Sequence, residues 1–174
     1  MFGVFCVLLF LLLAIACVCD IRKRKIPNVL VLALMAQGLC FRGAWDGVSG
    51  VTEFMISALL YLAMLYPLYK IGVLGAGDVK LLAVLEGCFP RNQGIYYFLA
   101  VWIVAAIMAF AQMLMRRDFL ERMEYLLVYL KDVARLGKWQ FYFQDRKEAF
   151  QRGSYVHMTI PMLIALPVYL GGFY

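Results

Sequence analysis

Long apolar runs separated by short polar segments most restrict what this chain can fold into. A helix that crosses the hydrocarbon core of a bilayer needs roughly 17–25 apolar residues, and 65% of the 174 residues here are hydrophobic. The runs lie at 1–19, 27–41, 53–71, 79–89, 95–115 and 156–173. Two of them, 27–41 and 79–89, reach spanning length only with their flanks. We expect an all-α polytopic protein of the lipid bilayer, with about six transmembrane helices and a single domain over 1–174.

Lysine and arginine are distributed unevenly among the segments that join these runs. With six spans, one side of the membrane carries Arg22, Lys23, Arg24, Lys25, Lys70, Lys80 and nine more basic residues in 116–152, whereas the other carries Arg42 and Arg91. Basic loops remain in the cytoplasm, so we expect both termini outside it. The net charge of +6 is then a topological signal, and we expect no nucleic-acid partner. The first run lacks a preceding basic region and a cleavage site, which predicts a retained span.

The joining segment 116–153 is long enough to fold by itself. Within it, "RRDFLERMEYLLVYLKDVARLG" places apolar residues at intervals of three and four, up to Gly137. This pattern predicts a cytoplasmic amphipathic helix lying in the membrane interface. It either tethers the fifth and sixth spans or forms a surface that receives a membrane-bound substrate.

Cysteine and histidine do not form a recognisable metal or redox motif. Every cysteine lies in an apolar run and no C-x-x-C pair occurs, so we interpret them as small packing residues. The single histidine, His157, has no neighbouring ligand set, and we interpret it as an interfacial or packing residue. We expect no cofactor and no metal.

Two aspartates are expected at one face of the membrane. Asp20 ends the first run in "CDIRKRKIPN", and Asp78 follows a glycine turn at the start of the fourth helix in "GAGDVK". Each has a structural explanation, because Asp78 is a good helix N-cap and Asp20 can pair with Arg22 or Arg24. Two carboxyl groups that share a site can instead be in different protonation states. The ionised group then activates a water molecule, and the protonated group donates a proton. Such a pair indicates aspartyl peptide hydrolysis.

The residues around these aspartates resemble two motifs of the type IV prepilin peptidase family. Asp20, Arg22 and Ile26-Pro27-Asn28 resemble its D-x-R-x-x-x-I-P-N segment, and Gly75-x-Gly77-Asp78-x-Lys80 resembles its G-x-G-D-x-K segment. The resemblance implies an aspartyl endopeptidase of the prokaryotic cytoplasmic (inner) membrane, with Asp20 and Asp78 as catalytic residues facing the cytoplasm. Its substrate would be a prepilin or pseudopilin precursor of a type IV pilus-like or secretion system, from which the leader is removed.

The resemblance also implies supporting roles for neighbouring residues. These are Gly75, Gly77, Lys80, Arg22, Pro27 and Asn28. The glycines would let a substrate backbone approach the second aspartate, and Lys80 would be a supporting cation or simply a positive-inside charge. Pro27 is expected as the first residue of the second helix, where proline costs little. Asn28 is a candidate to orient the first aspartate by hydrogen bonding.

Departures from the family pattern and other protein classes define the alternatives. Longer members carry a cytoplasmic insert with C-x-x-C pairs and N-methylate the product, so a chain without the insert resembles the short, peptidase-only form and leaves methylation open. Presenilin-like proteases also use G-x-G-D but require Tyr-Asp, where Cys19 precedes Asp20 here. A non-enzymatic alternative is a small transporter or pilus-assembly scaffold using an acid such as Glu86, which we expect near the outer surface. Oligomeric state stays open.

Overall fold

The computed structural model describes residues 2–23, 25–116 and 157–173, and the regular structure in this part is helical. The helices are α1 (Phe2–Lys23), α2 (Asn28–Lys70), α3 (Ala76–Cys88), α4 (Arg91–Arg116) and α5 (Thr159–Phe173). The expected all-α class is confirmed. The amphipathic helix predicted within 116–153 falls on residues outside the described part.

Three of the helices are long and apolar enough to cross a membrane. They contain the candidate spans Gly3–Lys23, Asn28–Lys70 and Gln93–Met115. The helices α3 and α5, of 13 and 15 residues, are shorter than the roughly 17 residues that a span requires. The expectation of about six spans is therefore not confirmed.

The helix α2 folds back on itself at Gly47. This residue has φ 63° and ψ −142°, a conformation that glycine adopts and other residues avoid. Arg42 and Glu53, eleven positions apart, form an ion pair, although a straight helix would separate them by about 16 Å along its axis. A Cβ atom on Gly38 would likewise lie 2.6 Å from the ring of Phe54. We conclude that α2 is a hairpin of two antiparallel arms, 28–46 and 48–70.

The buried core centres on α3, which packs against α2 and α4. From Asp78 to Cys88 every residue of α3 except Lys80 is buried. Gly87 of α3 lets this helix lie close to α2. A Cβ atom at this position would lie only 3.0 Å from the ring of Phe54, closer than ordinary van der Waals contact. On the far side α4 packs on α5, and the hydroxyl of Tyr97 donates to the carbonyl of Met162 at 2.9 Å.

One end of this helical bundle, which we call the open end, holds both ends of α2 and therefore lies opposite Gly47. Near the Gly47 turn, the beginning of α1 packs on α2: Phe5 stacks on Phe41 with ring centroids 3.8 Å apart, and its carbonyl accepts a hydrogen bond from Gln37. It follows that α1 runs away from the turn and ends at the open end. A short link from the end of α2 brings the beginning of α3 to the same place.

Candidate active site

Asp20 lies in the last turns of α1 and is held by residues at the start of α5. Its side chain is buried, with 3% of the residue exposed. The hydroxyl of Thr159 donates to its Oδ2 at 2.9 Å, and Nδ1 of His157 lies 3.1 Å from the same oxygen. Its neighbour Arg22, a suggested ion-pair partner, is exposed.

Asp78 lies in the first turn of α3 and is also buried, with 4% exposed. The N-cap of this helix is Gly75, whose N–H donates to Oδ2 of Asp78 at 3.3 Å. The suggestion that Asp78 is itself the N-cap was therefore wrong in position, because the aspartate reaches back to the cap from inside the helix. A carboxylate at this place also interacts favourably with the helix dipole.

Neither glycine of "GAGD" has an unusual backbone conformation, and Gly77 serves close packing. Gly75 has φ −74° and ψ 150°, which any residue can adopt. A Cβ atom on Gly77 would lie 3.2 Å from the Cβ of Ile26, so the link between α1 and α2 rests directly on the first turn of α3. The positive φ of this region belongs to Gly72, at 83°, which the sequence motif did not single out.

The other supporting residues lie around the open end. Lys80 and Asn28 are exposed, and Asn28 is the first residue of α2. Pro27 is the N-cap of α2, one position ahead of its expected place in the helix. Its carbonyl accepts a hydrogen bond from the N–H of Leu30, so the proline begins the helix without needing a donor of its own.

His157 and Thr159 are the site residues that sequence reasoning missed. The sequence indicates only an interfacial or packing role for His157, and it gives no signal for Thr159. They lie 137 and 139 positions from Asp20, so no local spacing connects them to it. The isolated histidine at the start of the last apolar run was the one available signal.

Glu86 is a third buried acid, but it lies toward the opposite end of α3 from Asp78. Its side chain is buried inside the protein, and its expected place near the outer surface of the membrane stays a prediction. A Cβ atom on Gly94 would lie 2.9 Å from its carboxylate oxygen, so α4 covers it. Among the described residues, no group of three His, Cys, Asp or Glu side chains could hold a metal ion.

The open end therefore brings the two motif aspartates to the same part of the bundle. It contains two buried carboxylates, one on α1 and one on α3. The Ile26 to Gly77 contact ties the link that follows Asp20 to the turn that carries Asp78. Hydrogen-bond donors from α5 and from the N-cap of α3 meet these carboxylates.

Comparison with known proteins identifies one family. A model of the type IV leader peptidase family matches residues 7–110. The match includes both aspartates and ends before α5, so His157 and Thr159 lie outside it. No curated protein and no solved structure matches the chain significantly.

Proposed function

The chain belongs to the type IV leader peptidase family, and from this we propose that it is a membrane-embedded aspartyl endopeptidase that removes the leader from prepilin or pseudopilin precursors. Family membership and the apolar helices make it an integral membrane protein of a peptidase family. The observation that best supports the proposed aspartyl endopeptidase activity is the burial of both motif aspartates at the open end.

Burial argues that these carboxylates do more than terminate helices. Aspartate is almost never fully buried unless it is paired, because losing its hydration is costly. A surface ion pair or a helix cap works at an exposed position and contributes about 2 kcal/mol or less. Two buried acids at one end of a membrane protein are more simply explained by a reaction that needs them away from bulk water.

The proposed reaction uses the two carboxyl groups in complementary states. The ionised group takes a proton from a water molecule, whose oxygen attacks the carbonyl carbon of the scissile peptide bond. The protonated group donates to the carbonyl oxygen, giving a tetrahedral intermediate. When the C–N bond breaks, the carboxyl group that took the proton from water gives it to the leaving nitrogen, and the other carboxylate takes back a proton from a hydroxyl of the intermediate. The leader departs with a new carboxyl group, and both catalytic groups return to their starting states.

We place the open end at the cytoplasmic face. Within the described part it carries Arg22, Lys23, Lys25, Lys70 and Lys80. The Gly47 turn is flanked by one basic residue, Arg42, which is paired with acids. Because basic segments remain in the cytoplasm, both arms of α2 cross in this proposal. The short α3 crosses as well in this proposal. Because it is surrounded by other helices, it does not have to be as long as the hydrocarbon core is thick.

A pilin-like precursor suits this placement. Its apolar helix lies in the bilayer, so the cleavage site that precedes the helix is held at the cytoplasmic face, in the plane of the two aspartates. Confining enzyme and substrate to one plane orients the reacting groups before the chemistry begins.

The test is cleavage of a co-expressed prepilin, followed by gel shift, with Asp20→Asn and Asp78→Asn. Asparagine keeps an oxygen that can accept from Thr159 or from the Gly75 N–H, so the fold is expected to persist. Cleavage should fall by at least about 100-fold in each variant, as expected when an acid or base is removed. Asp46→Asn is the matched control, because Asp46 pairs with Arg42 beside the Gly47 turn.

Normal membrane levels of both inactive variants, together with an active Asp46→Asn, would support the proposal. Cleavage that survives either Asp20→Asn or Asp78→Asn would contradict it. The transporter or scaffold function would then have to be reconsidered.

A further inference from the structure

Thr159, the first residue of α5, and His157, two positions before it, place two polar groups on a single oxygen of Asp20. Thr159 donates from its hydroxyl at 2.9 Å and His157 approaches through Nδ1 at 3.1 Å, both to Oδ2. Thr159 is completely buried, so its hydroxyl does not exchange this partner for bulk water. These contacts join the helix that carries Asp20 to a helix outside the family match.

Two contacts on one oxygen constrain the carboxylate more than one contact would. The terminal torsion of an aspartate is broad and permits the carboxylate to turn. With Oδ2 held by Thr159 and His157, the direction of Oδ1 is fixed as well. A reaction in which Asp20 must meet a water or a peptide group benefits from such fixing, because small misplacements cost large factors in rate.

We propose that His157 and Thr159 are positioning residues, which hold the Asp20 carboxylate in the orientation that peptide hydrolysis requires. This inference rests on the proposed function and adds α5 to the catalytic apparatus. A positioning role can be distinguished from simple helix packing. The helices α1 and α5 pack together and contribute buried apolar residues to one core, so loss of one hydroxyl should leave the bundle intact while disturbing Asp20.

Thr159 provides the cleaner test. Thr159→Val replaces the hydroxyl by a methyl group of the same shape, and Thr159→Ser keeps the hydroxyl. With purified enzyme in detergent and a synthetic precursor, we expect Thr159→Val to lower kcat roughly 10- to 100-fold, the size of a lost hydrogen bond to a charged group. KM should stay within about 2-fold, because the hydrogen bond belongs to Asp20 and not to the substrate. Thr159→Ser should restore most of kcat.

His157 provides a second, geometric test. An asparagine amide can place its nitrogen near the position of Nδ1, whereas a glutamine amide reaches toward the position of Nε2. Because Nδ1 makes the contact, His157→Asn should keep a larger kcat than His157→Gln. Equal losses in the two variants would speak against a directed hydrogen bond.

A spectroscopic readout separates the contact from the activity. The chain contains one histidine, so protein labelled with ¹⁵N-histidine and purified through a tag without histidine reports only His157. Asp20→Asn should shift its Nδ1 resonance, while Asp46→Asn should leave it unchanged. An unchanged resonance in Asp20→Asn would show that the contact is absent and would overturn the inference.

The outcomes of the cleavage assay distinguish the inference from the proposed function. Loss of cleavage in Asp20→Asn, with wild-type kcat in Thr159→Val and in both His157 variants, would overturn the inference and leave the peptidase standing. A change in KM alone would also overturn it. Full cleavage in Asp20→Asn would overturn the proposed function and, with it, any positioning role. If Thr159→Val fails to insert, the two His157 variants decide.

Discussion

Gly77 has little room for a side chain, and this affects the residue beside it. An added Cβ atom would lie 3.2 Å from the Cβ of Ile26 and 3.4 Å from its Cδ1. Ile26 belongs to the link between α1 and α2, which is anchored at both ends by helices. The strain of a larger residue would therefore fall on the first turn of α3, where Asp78 is the next residue.

We predict that Gly77→Ala lowers kcat/KM for precursor cleavage by roughly 10-fold, because a shift of a few tenths of an ångström at a reacting group is costly. Steady-state kinetics on the purified enzyme would measure this. Gly3→Ala is the control, since nothing lies within 4 Å of a Cβ at that position. Full activity of Gly77→Ala would show that the contact does not control Asp78.

The sequence singles out the two acids but gives no information about the residues that surround them. The motifs selected Asp20 and Asp78 before their burial was known. The partner of Asp78 could not be assigned correctly, because the choice between N-cap and third helical residue depends on the exact start of α3. Thr159 could not be found at all, since only tertiary packing brings α5 to α1.

The arms of α2 and the end of α3 are packed around one aromatic ring. Phe54 lies on the second arm, where a Cβ on Gly38 of the first arm would approach it to 2.6 Å and a Cβ on Gly87 of α3 to 3.0 Å. The same Gly38 atom would lie 2.7 Å from the Sγ of Cys88. Close approach through small residues is a common way for helices to associate in membranes.

We predict that Gly38→Ala destabilises the protein by about 1–3 kcal/mol, the usual cost of overpacking a core. Thermal or SDS-induced unfolding in detergent, followed by circular dichroism, would detect it. Combining it with Phe54→Leu should recover part of the loss, because the smaller side chain vacates the space of the ring. Gly171→Ala, at a position with open space, should unfold like the wild type, and a Gly38→Ala protein that does the same would contradict the packing described.

The hydropathy pattern located the apolar runs that become helices, but it did not describe the segment that joins 27–41 to 53–71. It separated 27–41 from 53–71 and treated the polar residues between them as a loop. The structure continues the helix through most of that segment and turns at Gly47. Polar residues remain helical there because Arg42 pairs with Asp46 on its own arm and with Glu53 on the other. A hydropathy profile contains no information about such ion pairs.

The whole molecule is asymmetric in charge and covered with apolar side chains. Large exposed hydrophobic residues occur along α1, α2, α4 and α5, as expected of a surface that faces lipid. The basic residues of the described part concentrate at the open end. The sequence predicted this asymmetry, but the number of crossings was not confirmed, because α3 and α5 are too short to be judged by length alone.

We predict that the Gly47 turn and the open end face opposite sides of the membrane. Val48 is 81% exposed beside the turn and Val73 is 50% exposed in the link to α3. In intact cells, a membrane-impermeant maleimide should label Val48→Cys and should reach Val73→Cys only after permeabilisation. The wild-type chain, with its cysteines in apolar helices, gives the background. Labelling of both variants from the same side would contradict the arrangement.

The fold-back at Gly47 decides whether the chain crosses the membrane an odd or an even number of times between Asp20 and Asp78. A chain that crossed the membrane once between residues 28 and 70 would deliver Asp20 and Asp78 to different aqueous compartments. When both antiparallel arms cross, as proposed above, the number of crossings between the aspartates is even, and both aspartates lie on the side of the membrane where α1 ends. A hydropathy profile that counts Asn28–Lys70 as one segment would give a single crossing there, which is an odd number. In the proposed function, the turn at Gly47 is therefore what allows the two carboxyl groups to reach the same water molecule.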